Sequence, residues 1–321
     1  MSYQLAAIGE LLIDLVQEHP LQSGAPKFTA NPGGAPGNVC VMFSKLGGEA
    51  SFIGKVGRDA FGSQLRHALE SQGVQTSGLI ADDTSNTSLA FVSLDQSGER
   101  SFTFYRKHSA DTQLCAEEIP QESWNEARVL HFGSVSMSDE PSRSATFATV
   151  EKAREQKLLI SYDPNFRPFL WPDLDEARNV LWRGVKLADV LKVSEEEMLL
   201  LTGETDPAKG AQHLKKGGPK LILITLGCKG AYYCCNGCEG LVESFCVPTV
   251  DSTGAGDAFV GAFLYSLFQL KNMRLERLHE EDIRSIIRFS NAAAALATTG
   301  YGASPAMPDR NAIEDLLSSQ A

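Results

Sequence analysis

Positive charge is scarce in this sequence: 29 lysines and arginines face 40 aspartates and glutamates, a formal net charge of −11 over 321 residues. An acidic surface repels nucleic-acid backbones and anionic headgroups, so neither nucleic acid nor a membrane surface is expected as a partner. A locally basic cleft remains compatible with that total. Long apolar runs are also missing. The longest, 258–270, falls short of the ~18 residues a bilayer span needs and reads as a core helix. The N-terminal stretch "MSYQLAAIGELLIDLV" lacks a basic segment and carries Glu10 and Asp14, so it reads as a first strand and not as a leader. These absences point to a cytoplasmic protein.

Two familiar phosphate-binding motifs are absent as well. No G-x-x-x-x-G-K-[ST] occurs; "GGEASFIGKV" comes nearest and fails at Glu49 and Val56. "GAGDAF" lacks the third glycine of G-x-G-x-x-G, which argues against an ordinary dinucleotide site. The seven cysteines are an odd number in a chain too large for a disulfide scaffold, and they read as reduced thiols. Four of them crowd into "GCKGAYYCCNGCEG", but a single C-x-x-C without a second pair favours a hairpin with cysteines at small apolar positions over a zinc site.

What is present is a globular composition, 43% hydrophobic and 21% charged. Strand-like runs alternate with helical patterns: "LAAIGELLIDLV", then "GNVCVMFSKLGG"; "ASFIGKVG", then "FGSQLRHALESQG"; "RVLHFGSV" and "LLISYDPN" around a helix near 141–157; then "ADVLKVS" and "KLILITLG". That order predicts an α/β fold with a mostly parallel sheet flanked by helices. The segment 88–106, "SLAFVSLDQSGERSFTFYR", breaks the alternation and reads as a hairpin. With the segment near 15–30 it is expected to form a small β-rich lid over the carboxyl edge of the sheet, where open α/β folds bind ligands. The expectation is one domain over 1–321 with that lid.

Two stretches invite chemistry. "DSTGAGD" follows a run, "FCVPTV", that reads as a strand, and it precedes the apolar "AFVGAFLYSLFQL". Glycines 254 and 256 admit a tight turn and a close ligand, and the start of a helix offers unpaired N–H groups to a phosphate. Asp257 then serves either as a helix cap or as a base beside that phosphate; local chemistry leaves both open. "NPGGAPGN", 31–38, is a glycine loop before a helix, by itself readable as an ordinary turn.

The pairing of "GGAPGN" with "DSTGAGD" closely resembles the two signatures of the PfkB, or ribokinase-like, carbohydrate kinases. "GKVGRDAFG" (54–62), "ITLGCKG" (224–230) and "NAAAALA" (291–297) extend the resemblance over most of the chain. "DPNFRPFLWP" (163–172) and "FTFYRKHSAD" (102–111) are most similar to the fructokinase branch, with 2-keto-3-deoxygluconate kinases close behind. The resemblance implies a three-layer fold and ATP-dependent phosphorylation of a sugar hydroxyl, most simply D-fructose to fructose 6-phosphate. A 2-keto-3-deoxygluconate kinase or another PfkB sugar kinase, and from a different class a catalytically silent sugar-binding regulator on the same fold, are the alternatives.

The resemblance implies roles residue by residue. Asp257 is the base, and the N–H groups of Gly254, Ala255 and Gly256 form the anion hole. Asp14, Gly33, Gly34 and Asn38 contact the sugar, joined by Arg167 and, from the lid, Phe104 and Arg106. Lys192, Thr225, Gly227, Gly230 and Asn291 hold ATP. Glu197 supports Mg2+ indirectly, in a stretch where Ser194 replaces the family's usual asparagine. Asp251 and Thr253 belong to a possible K+ site with the loop "TTGYGASPA", where Ala306 stands in place of a hydroxyl. Strand edges on the lid imply a possible homodimer.

Overall fold

The structure, a computed structural model, describes residues 4–17, 26–94, 100–270 and 274–320. The first apolar run does not make one strand. It gives β1 (Leu5–Ile8) and β2 (Leu12–Gln17), and the two belong to different sheets. The break falls at Gly9, whose missing Cβ would sit 2.6 Å from Pro36 Cγ. Asp14 therefore lies inside β2, in the second sheet, and not in the same strand as the first apolar residues.

After β3 (Phe28–Gly33) the chain alternates through α1 (Ala35–Lys45), β4 (Ala50–Gly57), α2 (Ala60–Ser71) and β5 (Gln75–Asp82). The pair β6 (Leu89–Leu94) and β7 (Arg100–Tyr105) interrupts that rhythm. It resumes with β8 (Val129–Phe132), α3 (Ser142–Glu155), β9 (Leu159–Tyr162), α4 (Leu174–Leu187) and β10 (Val190–Ser194). Helices α5 (Glu195–Thr202) and α6 (Pro207–Lys215) lead to β11 (Leu221–Thr225), β12 (Ala231–Cys235) and β13 (Cys238–Val242). Four helices close the chain: α7 (Ala255–Gln269), α8 (Glu280–Ala297), the short α9 (Ala303–Ala306) and α10 (Arg310–Ser319).

Nine strands form the main sheet in the order β13-β12-β11-β10-β9-β8-β1-β4-β5, parallel except where β12 and β13 turn back at one edge. Side chains alternate across it because the strand period is two. Leu221 and Leu223 of β11 enter one core with α1, α7 and α8, whereas Ile222 and Ile224 enter the other with α3 to α6. The result is a three-layer α/β/α body. Helix α7 is buried along most of its length. Its close approach to α1 depends on Gly261, where a Cβ would meet Met42 Cβ at 2.6 Å.

The second sheet has the order β3-β2-β6-β7. It matches the β-rich element expected from 15–30 and 88–106, although 18–25 and the expected turn at 95–99 lie outside the described residues. The cysteine-rich stretch is a hairpin: Asn236 and Gly237 turn with φ of 51° and 82°, and Cys235 pairs in register with Cys238. All seven cysteines are free thiols, and no group of His, Cys, Asp and Glu able to hold a metal occurs among the described residues. One expected strand is not formed. "FCVPTV" runs without a ladder, as Pro248 has no N–H to give and Val250 N–H is taken by Thr298 O at 2.7 Å. Among the described residues no helix is long and apolar enough to cross a membrane.

Candidate active site

A cleft of about 1140 Å³ opens at the carboxyl ends of the parallel strands, between the main sheet and the second sheet. The strand ends β9, β10 and β11 supply Asp163, Lys192 and Thr225 to its wall, and the start of α7 supplies Gly254, Gly256 and Asp257.

The N-cap of α7 is Gly254, in the left-handed region at φ 80°. A Cβ there would be strained by that φ and would stand 2.6 Å from Ala303 Cβ. Ala255 N–H is engaged, donating to Ser252 O at 3.3 Å. Asp257, in the first turn, is buried at 9% exposure and does not cap its helix. Its Oδ2 accepts from Asn38 Nδ2 at 2.8 Å, and Asn38 Oδ1 accepts from Ser304 Oγ at 2.6 Å. Burial pushes the Asp257 carboxyl up to about 6; the Asn38 hydrogen bond opposes that, Asp163 adds to it, and Lys192 and Arg167 counter it.

Asp14 lines the same cleft, and Gly33 opposes it so closely that a Cβ at 33 would collide with Asp14 Oδ2. Burial pushes Asp14 up to about 7, Arg167 lowers it, and the carboxylates Asp257 and Asp251 raise it further. Gly34, at φ 115°, lets the chain pass against the Glu10 carbonyl. Arg167 is exposed at the cleft wall with its Nη1 on Phe166 O at 3.2 Å. Phe104 also lines the cleft, its ring 4.9 Å from that of Phe169.

Lys192 is buried, donates from Nζ to Asp163 Oδ2 at 2.9 Å, and lies where a Cβ on Gly256 would be 3.0 Å from Nζ. Burial works to lower its pKa, and the carboxylates Asp163, Glu197 and Asp257 outweigh burial and raise it. Glu197 spends both oxygens on backbone N–H groups, Phe166 at 2.7 Å and Ser194 at 2.7 Å. Ser194 in turn accepts from Glu197 N–H at 3.1 Å, a capping box at the start of α5. Serine thus serves where an asparagine was expected. Thr225 and Gly227 line the cleft, Gly227 in the left-handed region at φ 59°. Asp251 ties two loops together: Oδ1 accepts from Thr253 N at 2.9 Å and Thr253 Oγ1 at 2.7 Å, and Oδ2 from Gly302 N at 3.2 Å.

Three expected residues are placed elsewhere. Arg106 does not reach into the cleft. Its guanidinium is buried at 4% exposure, with Nε on Asp111 at 2.6 Å, Nη1 on Ser138 Oγ at 2.7 Å and Nη2 on Val135 O at 3.0 Å. It anchors the end of β7 to the body. Asn291 is buried with Nδ2 on Val242 O at 2.9 Å and Glu243 O at 3.1 Å, so it fastens α8 to the end of β13. Gly230, at φ 106°, makes room for the Val242 carbonyl and stands outside the cleft lining.

Sequence reasoning missed three residues. Glu10 lines the cleft, is 2% exposed, and accepts from Ala35 N–H at 2.9 Å, fixing the start of α1. Burial pushes it up to about 7, against backbone hydrogen bonds and Arg106. It was visible as the first acid inside an apolar run. Asp163 closes β9 at the Asp-Pro step, and Ser304 sits in the loop singled out only for cation binding.

The profile of the pfkB family carbohydrate kinases matches residues 3–310. A probable fructokinase-4 of Arabidopsis thaliana is 42% identical over 319 residues, covering 98% of this chain and 96% of the relative. A crystal structure of fructokinase with bound ATP from Xylella fastidiosa superposes with a TM-score of 0.92 at 37% identity, covering 100% of this chain and 99% of that one. A fructokinase from Vibrio cholerae O395, in a fructose, ADP and calcium ion bound form, gives 0.88 at 36% identity over 99% and 100%. With a cleft built from the two glycine signatures and a match across nearly its whole length, this chain belongs to the PfkB family of carbohydrate kinases and is an ATP-dependent sugar kinase.

Proposed function

We propose that the sugar is D-fructose and the product fructose 6-phosphate, with Asp257 as the base. The observation that carries the proposal is the Asp257 carboxylate itself: buried at the mouth of α7, held through Oδ2 by Asn38, and ionised above a pKa of about 6. Helix capping does not explain it, since it makes no cap. Oδ1 is left to take the proton of a sugar hydroxyl as that oxygen attacks the γ-phosphorus. Charge developing on the phosphoryl oxygens would be met by the N–H groups of Gly254 and Gly256, by that of Ala255 once it turns from Ser252 O, and by Lys192 beside Gly256.

Asp14, with the Gly33-Gly34 turn, Asn38 and Arg167, would hold the sugar, and Phe104 would cover it from the second sheet acting as a lid on a single kinase domain. Glu10 and Asp257, buried, and Asp14, half-buried, face Arg167 as the exposed cation of the cleft, Lys192 being paired with Asp163, a balance suited to a neutral polyol more than to a keto acid. The ATP bound in the Xylella fastidiosa fructokinase and the fructose and ADP bound in that of Vibrio cholerae O395 support the same reading. A silent regulator would be expected to lose the base or the turn glycines, and both are kept.

Thr225 and Gly227 would border ATP directly, with Asn291 and Gly230 shaping the wall behind them. Mg2+ would arrive with ATP, neutralising phosphate charge and keeping mostly water and phosphate oxygens. Glu197 then acts only indirectly, since backbone N–H groups occupy both its oxygens. The Asp251–Thr253 turn fits K+ only through carbonyl oxygens nearby, because the carboxylate is already shared between two loops; equal turnover with K+ and with an organic cation would remove that role. A cytoplasmic setting suits seven free thiols. The edges of β3 and β7 and a 63%-exposed Tyr105 support a homodimer through the second sheet, to be read by light scattering.

A coupled ADP assay over fructose, 2-keto-3-deoxygluconate and ribose tests the substrate. The highest kcat/KM is expected for fructose; no fructose turnover would overturn the proposal.

A further inference from the structure

A second cavity, of about 640 Å³, lies at the opposite edge of the main sheet, beside the amino ends of β9, β10 and β11. Its lining brings five cations together from separate segments: Arg128 before β8, Arg154 at the end of α3, Lys157 in the turn to β9, Lys220 before β11, and Arg274. Asp189 is the one acid in that lining. We propose that this cavity is a second anion site, taking a molecule that carries two or more phosphate groups.

The charge balance is the argument. In a chain with 40 acids and 29 bases, cations should find carboxylates easily. Lys220 does, reaching Glu276 at 2.7 Å and Asp189 at 3.5 Å. Asp189 also accepts from Ile160 N–H at 3.0 Å. Among the described residues, Arg128, Arg154 and Lys157 have no carboxylate within ion-pair distance, and Arg128 rests instead over the Phe268 ring at 5.2 Å. A helix C-terminus favours cations, which accounts for Arg154. It does not account for Arg128 or Lys220, which come from other segments. Like charges converging on a concave surface repel one another, and a multivalent anion relieves that repulsion.

The cavity has room for a phosphorylated sugar, a nucleotide or a short inorganic phosphate chain. It is separated from the sugar-kinase cleft by the length of the strands: Lys220 and Thr225 stand at opposite ends of β11. A ligand there competes with neither substrate, and the site stands whatever sugar the kinase uses.

The test is calorimetric titration of inorganic tripolyphosphate into the protein with its cleft filled by fructose and a non-hydrolysable ATP analogue. One further binding event per chain is expected. It should weaken at least about tenfold in the Arg154→Glu/Lys157→Glu variant, and also weaken as salt rises. Sugar-kinase activity of that variant should stay unchanged. A Lys107→Glu/Lys209→Glu variant, with the same net charge change elsewhere, should bind like the wild type. Repeating the titration with fructose 1,6-bisphosphate and with ATP identifies which source of phosphate the cavity prefers. No saturable binding to the wild type, equal affinity in the cavity variant, or an equal loss in the control variant would each overturn the proposal.

Discussion

Asn38 Nδ2 donates to Asp257 Oδ2 at 2.8 Å, joining residues 219 positions apart. Ser304 Oγ on Asn38 Oδ1 at 2.6 Å fixes which way the amide points. The chain Ser304–Asn38–Asp257 thus draws the start of α1, the start of α7 and the short helix α9 onto one carboxylate. Since that hydrogen bond favours the charged form, it keeps a buried acid ionised near neutrality.

Asn38→Ala removes the donor. A hydrogen bond to a charged group contributes roughly 1.5–3 kcal/mol, so the Asp257 pKa should rise by about one to two units. The acid limb of kcat/KM should move up by that amount, with activity partly regained at high pH. Ser304→Ala, which only loosens Asn38, should shift it less. A pH–rate profile of the two variants checks both.

In the wild type, kcat/KM should climb as pH passes through about 6, where Asp257 ionises, and continue toward 7 as Asp14 does. Stability should run the other way. The folded state holds the Asp257 proton up to about 6, whereas the unfolded chain releases it near 3.8, so stability falls as pH rises across that window. Asp257→Asn removes the penalty, a gain of up to roughly 3 kcal/mol above pH 6 that disappears as pH falls toward 3.8. Denaturant titrations at pH 5 and pH 8 measure it.

Gly254→Ala and Gly227→Ala place the same methyl at two left-handed positions. Each should cost roughly 1–2 kcal/mol for the backbone. At 227 the space is open, whereas at 254 the methyl meets Ala303 at 2.6 Å. Gly254→Ala should therefore lower both Tm and kcat, and Gly227→Ala chiefly Tm. Thermal melts with steady-state kinetics separate them.

Arg106→Ala should cost about 3–5 kcal/mol, since it strands the buried Asp111. The KM for sugar should change little at temperatures where the variant is folded. A large rise in KM with stability spared would instead make Arg106 a sugar ligand.

Much of this was legible in the sequence. Alternating apolar runs gave a mostly parallel sheet flanked by helices because each strand and helix must bury a face, and the paired glycine signatures, through the family they resemble, gave the three-layer fold and the two chain segments of the cleft. The split of the first run into β1 and β2 was not legible, as apolar residues continue on both sides of Gly9 and the close approach of Pro36 to Gly9 is a contact distant in the chain. Arg106 and Asn291 were assigned to ligands through the resemblance, and a matching motif position shows polarity but not the internal partners, Asp111 and the Val242 carbonyl, that occupy these side chains. Glu10, Asp163 and Ser304 were missed for a similar reason: each takes its meaning from a partner distant in the chain, Ala35, Lys192 and Asn38 respectively.

The most direct test is the rate of ADP formation with fructose, wild type against Asp257→Asn, with fructose binding measured calorimetrically on both. Removing a general base is expected to cost at least about a hundredfold in kcat. The variant should retain fructose affinity within a few-fold and be nearly inactive at every pH. Near wild-type turnover in Asp257→Asn would contradict the role of Asp257 as the base.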